Sequence, residues 1–287
     1  MLRCHLLIFN FLLFFFVADA ANDNFPIGAR AIGLGNAVAA NEDAWSTFNN
    51  IAGIARLDKV NVGAFFERRY SFSSFDQFAA VGSLPLAITP LKYGNVGVGM
   101  YRLGNDLYNE HRFNVGFAHN IMGVNLGIQA EYVQVAISEW SSKGNVVINF
   151  GGQVQIVKNL RFGAHIYNIN QAKIATYKDE RIPTIMKAGL SYIPFNRLQL
   201  NVELEKDVEK LARFKAGLEY GLYDKVFFRT GININPIKYF FGLGFVTKSV
   251  GLHYAVSVHE QLGLSHSLSI SYIFHSRNSE HAKTPKE

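Results

Sequence analysis

The residue types best suited to chemistry lie near the C-terminal end, where His253, Ser257 and His259 recur at even spacing. In an extended segment that spacing places all three on one face. A hydroxyl beside an imidazole is the raw material of nucleophilic catalysis, but the base must be oriented by a third group. No Asn or Asp is identifiable for that task. His266 and Ser267 are adjacent, so in a strand they point to opposite faces and cannot pair directly. The pattern therefore reads as polar packing, and no catalytic residue is expected. Gly33-Leu34-Gly35 carries part of the glycine spacing of a dinucleotide loop, yet no strand precedes it and no βαβ unit follows. The scattered histidines lack metal-ligand spacing, so neither a metal nor another cofactor is expected. The net charge of +6 is spread thinly and forms no basic stripe, which excludes a nucleic-acid footprint.

The elements that must position these residues begin after a targeting segment. Arg3 supplies a positive start, Leu6 to Val17 is apolar, and Ala18-Asp19-Ala20 has the small-x-small form of a cleavage site. Residues 1–20 are expected to be a signal peptide cleaved after Ala20. The single cysteine, Cys4, precedes the apolar run, so the mature chain would carry no thiol for redox, metal or nucleophilic chemistry. No later window holds the ~18 consecutive apolar residues of a membrane helix. The 24 phenylalanines, 13 tyrosines and 25 glycines with only 7 prolines favour aromatic-rich β structure.

Between Lys59 and Phe274, segments of about ten residues alternate apolar with small or polar residues. Leu268, Ile270, Tyr272 and Phe274 oppose Ser267, Ser269 and Ser271. Leu252, Tyr254, Val256 and Val258 oppose Gly251, His253, Ala255, Ser257 and His259. Charges fall repeatedly on the glycine-containing face, and tyrosine or phenylalanine often ends the apolar face, as interfacial girdles require. The fold class is therefore all-β, a transmembrane antiparallel β-barrel, exported to a bacterial outer membrane and in contact with its lipid. The segments are 59–68, 75–86, 93–103, 110–120, 123–136, 145–157, 159–169, 182–193, 197–206, 211–221, 225–234, 238–247, 249–259 and 265–274. Fourteen is even, which puts both barrel ends on the periplasmic side. Segment 75–86, with Pro85 and weak alternation, makes twelve the alternative count. Connections must be short, and residues 275–287 form a polar tail expected to be disordered.

Glu131, Arg161, Lys187, Glu203, Glu205, Arg213, Lys215, Glu219 and Arg229 should face the lumen. Buried charges are costly unless paired, so a salt-bridged filling is expected. A charged conduit for an anion is the alternative. If the histidine face is the lumen, it also differs from a lipid hydrolase, whose dyad faces the membrane. Residues 21–58 do not alternate and read as a plug or hatch inside the lumen. A short helix over 42–49 is expected there, with Asn41 as N-cap and Glu42 and Asp43 in its first turn. Glu42, Asp43 and Arg30 are natural partners for the charged wall.

These motifs resemble a known family. Gly28-Ala-Arg30-Ala-Ile-Gly33-Leu-Gly35-Asn36-Ala, the Glu42-Asp43 pair, Trp45, and Asn50-Ile-Ala-Gly53 resemble the N-terminal hatch of FadL-like barrels. Within that superfamily the chain looks most like the PorV/PorQ group of Bacteroidetes-type bacteria. Ile182-Pro, Lys187-Ala-Gly-Leu-Ser-Tyr, Phe214-Lys-Ala-Gly-Leu-Glu-Tyr, Phe228-Arg-Thr-Gly and the closing run from His253 to Tyr272 agree. The family's usual Asn-Pro-Ala-Gly reads Asn50-Ile51-Ala52-Gly53 here, and the extracellular loops are trimmed. The resemblance implies a non-enzymatic outer-membrane component of type IX secretion, with secretion-system or cargo proteins as partners, or a structural member of a larger complex. The fatty-acid branch of the superfamily implies the alternative, a channel taking up a hydrophobic small molecule. A continuous apolar cavity past residues 25–57 with a lateral opening would support uptake. A lumen sealed by charges and that segment would argue against it.

Overall fold

A strand with one lipid-compatible face and one polar face must curl its polar face inward, and a closed ring also leaves no unpaired edge. The computed structural model describes residues 25–86, 94–138, 141–175 and 180–275. Residues 1–20 with the cleavage site, and 276–287 of the tail, lie outside them. Fourteen antiparallel strands form one closed barrel. They are β1 (Asn61–Arg68), β2 (Asp76–Leu86), β3 (Gly94–Gly104), β4 (Tyr108–Ile121), β5 (Val124–Ile137), β6 (Ser141–Val157) and β7 (Leu160–Tyr167). A small two-stranded ribbon, β8 (Lys173–Ala175) with β9 (Glu180–Arg181), follows outside the wall. The ring continues as β10 (Ile185–Phe195), β11 (Leu198–Asp207), β12 (Arg213–Gly221), β13 (Val226–Ile234), β14 (Lys238–Val246), β15 (Val250–His259) and β16 (Gly263–Ile273). It closes where β1 pairs with β16, from Asn61 opposite Ile273 to Arg68 opposite His266.

All fourteen expected segments appear in place, and the alternative of twelve is excluded. The weak segment around Pro85 is a full strand for a local reason. β1 pairs with β2 only as far as Ser83, so Pro85 sits opposite Asn95 of β3 with no neighbour on its other side. A proline is tolerated where its missing N–H has no partner to lose.

The outer face carries Phe78, Phe113, Phe214, Tyr239, Phe241, Leu268 and Ile270, all exposed. In water this would be an aggregating surface; against hydrocarbon it is the stable arrangement. Tyr192, Phe195, Tyr220, Tyr272 and Phe274 gather toward the rim at which the even strands end. Phe274 lies just past β16, its N–H donating to the Val60 carbonyl at 2.9 Å and its ring 4.8 Å from Tyr272. The inner face is glycine, serine, amide and charge, with an apolar cluster of Phe65, Val81, Leu103 and Phe240 packed against Trp45 and Phe48.

Residues 25–57 form helix α1 (Ala29–Gly33), helix α2 (Ser46–Asn49) and the 3₁₀ turn Ile51–Ile54. Helix α1 packs against β13 to β16, α2 against β2 to β4, and the 3₁₀ turn against β3 to β6. A segment touching strands on opposite sides of a closed ring lies within it. The expected helix over 42–49 is shorter, and Asn41 does not cap it. The Asp43 carboxylate accepts the Ser46 N–H at 3.2 Å, making a local turn that competes with helix over 42–45. The Asn41 carbonyl oxygen accepts from the Ser46 hydroxyl, while its side-chain oxygen accepts from Asn201 and Gln199 of the wall.

Candidate functional site

The contact between residues 25–57 and the wall is built from three charged groups. In the first, Arg30 donates to both carboxylate oxygens of Glu219 at 2.9 Å and to Asp43 at 3.2 Å. Arg229 donates to the same Glu219 at 2.5 Å. Burial alone would lower the Arg30 pKa, but Glu219 and then Asp43 more than offset it and hold the guanidinium above its usual range. Arg30 lies on α1 and Glu219 and Arg229 are cross-strand neighbours on β12 and β13, so the wall sets the pair into which α1 docks.

In the second group, Glu203 takes the N–H donors of Val38 and Ala39, both at 2.8 Å, on one oxygen and the Lys215 ammonium at 2.8 Å on the other. Lys215 also reaches Glu205 at 2.6 Å, and Arg213 and Lys187 approach Glu205 at 3.4 and 3.9 Å. In the third, Arg161 meets Glu42 at 2.8 Å and donates to the Ala40 carbonyl at 3.2 Å. Glu131 stands apart from these, 4.0 Å from Arg112 and 3.4 Å from the Asn149 amide. Glu42 thus reaches an arginine of the wall, and Asp43 an arginine of the segment itself.

The remaining residues of the N-terminal motif shape close approaches. Gly28 and Gly35 have φ of +108° and +63°, where a side chain is strained. A Cβ on Gly28 would sit 3.0 Å from the Trp45 indole, which is buried and meets Phe65 edge-on at 6.0 Å. Gly33 faces Gly242, Gly53 closes against Asn41 and Ser46, and the Asn36 carbonyl accepts from Lys215 at 3.5 Å. The Asn50 amide donates to the Ala39 carbonyl at 2.6 Å and to Ala164 of β7 at 3.2 Å. The neighbouring Ile51 fills the space over Gly116 and Gly127.

Wall amides extend the contact beyond what charge patterning singles out. Gln153 donates to the Ala39 and Asn41 carbonyls at 3.0 and 2.8 Å, Gln129 to Thr47 at 2.5 Å, and Asn201 to Ala37 at 2.6 Å. All sit on the inward parity of their strands, and that parity was the available signal.

Above this packed layer a cavity of about 580 Å³ opens between the β1–β2, β13–β14 and β15–β16 connections. Its floor is Phe25, Pro26 and Ile32. Tyr70, Phe75, Tyr101 and Tyr108 line the stretch from β1 to β4, and Arg213, Asn233, Lys238 and His259 the stretch from β12 to β15, with the Tyr70 and His259 rings meeting edge-on at 5.9 Å. Arg69 stacks over Phe25 at 4.1 Å. Among the described residues the ladder of strand pairs runs unbroken around the ring. The catalytic alternative gains nothing from the geometry. Ser257 and His259 line the cavity, but among the described residues no hydrogen bond joins Ser257 to His253 or His259. The His259 Nδ1 instead accepts the N–H groups of Gln261 and Leu262. His266 pairs with Tyr254 at 2.7 Å on the outer face.

No protein-family model matches the chain, and no curated protein matches it. Solved structures share its fold. The CymD monoaromatic hydrocarbon channel superposes with a TM-score of 0.69 at 12% identity, covering 89% of this chain and all of the other. The Ralstonia pickettii toluene transporter TbuX gives 0.66 at 10% identity, covering 88% and 100%. A Pseudomonas aeruginosa FadL homologue gives 0.58 at 12% identity, covering 89% and 100%. The chain thus shares the barrel fold of these structures.

Proposed function

We propose that this non-enzymatic outer-membrane barrel binds a small hydrophobic molecule in its mouth cavity, and that residues 25–57 act as a hatch governing passage. The carrying observation is the ring-lined cavity resting on the buried N-terminal segment. A concave site with aromatic walls and a few convergent polar groups is the usual form of a small-molecule site. The fold shared with barrels described as hydrocarbon channels and a toluene transporter supports the same reading. The ion-paired layer beneath the cavity supports a hatch that must shift for passage. Uptake of a radiolabelled monoaromatic compound into proteoliposomes tests this: accumulation above that of empty liposomes is expected, and equal uptake overturns it.

A second reading is a secretion-associated barrel of the PorV/PorQ type. The packed layer of residues 25–57 supports it, because a docking component needs no open route. Deleting the gene and measuring type IX cargo secretion and surface attachment tests it, and unchanged secretion refutes an essential role.

A further inference from the structure

The outward face of β12 to β15 carries no charged residue, but that of β3 and β4 does. Arg102 of β3 and His111 of β4 are direct cross-strand partners, so their side chains share a face. That face is the outer one. Arg102 is exposed and His111 half-buried, while the alternate positions Tyr101, Leu103, Glu110 and Arg112 are buried. The imidazole stacks with Phe113 of its own strand, ring centroids 6.4 Å apart and planes 8° from parallel. Among the described residues neither the Arg102 nor the His111 side chain has an ion pair or a hydrogen bond. Asp76, the acid among the outward residues of β16 and β1 to β5, accepts from two nitrogens of Arg68 at 2.9 and 2.8 Å. Gln134 of β5 is the partner across from His111, and its amide donates to the Ser142 hydroxyl.

Below this level the same two strands are apolar rung by rung. Met100 faces Phe113, Val98 faces Val115 and Val96 faces Phe117, and all but the half-buried Val96 are exposed. His119 comes next on the outer face and stacks with Phe117 at 6.3 Å, so two histidines of β4 bracket the apolar stretch. The step from His111 to His119 covers about 27 Å along a strand. At the usual tilt that is about 20 Å of depth, close to the ~25 Å apolar band of an outer-membrane barrel. Arg102 and His111 therefore stand where hydrocarbon gives way to headgroups, at the end where the mouth cavity opens. The pattern fits an amphiphile with an anionic head and chains laid down the three apolar rungs. We propose that this face of β3 to β5 holds a phosphorylated glycolipid of the outer leaflet. Its phosphate meets Arg102 and His111, and a sugar hydroxyl meets Gln134. The guanidinium fork matches phosphate oxygens, and a carbohydrate head supplies hydroxyls to the adjoining amide. This inference stands apart from the cavity and whatever the cavity binds.

Native mass spectrometry of the full chain in detergent tests the site, with lipid A and phosphatidylglycerol as probes. Lipid A is expected to bind at a several-fold lower concentration than phosphatidylglycerol. Arg102→Gln should raise the lipid A concentration needed by about fivefold, the effect of one basic side chain at a membrane surface. Arg102→Lys should recover part of that loss. Lys206→Gln, on the outward face of β11, should leave lipid A binding unchanged. The folded gel mobility of each variant separates loss of the site from loss of the barrel. Equal binding of the two probes would overturn the glycolipid assignment. Undiminished lipid A binding in the folded Arg102→Gln/His111→Gln double variant would overturn the site itself, as would an equal loss in Lys206→Gln.

Discussion

Arg30 and Glu219 are joined by two hydrogen bonds of 2.9 Å across the boundary between the N-terminal segment and the barrel wall. The fork of the guanidinium matches the carboxylate, so the pair fixes orientation as well as distance. Glu219 also serves Arg229, so this one carboxylate answers two cations. Removing it strips the buried Arg229 of its ion pair and leaves Arg30 with Asp43 alone. Glu219→Gln should lower stability by about 3 kcal/mol, read as a fall in the thermal midpoint of the purified barrel. The double variant Arg30→Gln/Glu219→Gln should lose clearly less than the sum of the single changes. Strict additivity would mean that the pair carries no coupling.

Glu203 makes a different kind of anchor, because one of its oxygens collects two adjacent N–H groups of the segment. An amide in its place can still accept with its oxygen, but it brings no charge to Lys215. Glu203→Gln should cost about 1–3 kcal/mol, whereas Glu209→Gln on the exposed surface should leave the denaturation midpoint unchanged. If the two variants behave alike, the anchor contributes nothing.

Where the segment meets β12 and β13, backbone lies on backbone. A side chain at Gly217 would run into the Leu34 carbonyl, and one at Gly231 into Gly35. Gly217→Val leaves the outer face of β12 untouched, so the barrel should still insert and show its folded gel mobility. The displaced segment should then become open to trypsin at Arg30 and Arg56 while the native protein resists. Equal protection would show that the wall adapts around the added side chain.

Much of this was legible in the sequence. Period-two alternation places side chains by parity, so Lys215, Gly217 and Glu219 on one face predict a strand and its inward side together. Every strand of the ring except the weakly alternating one around Pro85 followed from that rule. Parity does not say which inward residues meet, because register between strands and the path of a non-repeating segment depend on tertiary contacts. That Arg30 would choose Glu219, and Glu42 choose Arg161, came only with the structure. The helix expected over 42–49 failed because Asp43 and Ser46 form a local turn and Asn41 is held by the wall. The ribbon of β8 and β9 had no signal, since three residues pairing with two are too few to alternate.

The proposed gating has a direct mechanical test. Ala39 of the segment faces Gly189 of β10 so closely that a Cβ built on Gly189 would lie 3.4 Å from the Ala39 Cβ. Disulfides span Cβ separations of about 3.5–4.5 Å, so Ala39→Cys/Gly189→Cys should bridge after a small adjustment. Cys4 is the only cysteine in the whole sequence, so competing bridges in the remainder of the chain are absent. Oxidation should lock the segment to the wall without touching the cavity lining, which includes neither residue. The oxidised protein should then bind a cavity ligand normally but fail to pass it into proteoliposomes, and reduction should restore passage. Passage undiminished in the fully bridged protein would mean that the route does not require the segment to leave β10, and the hatch role would fall.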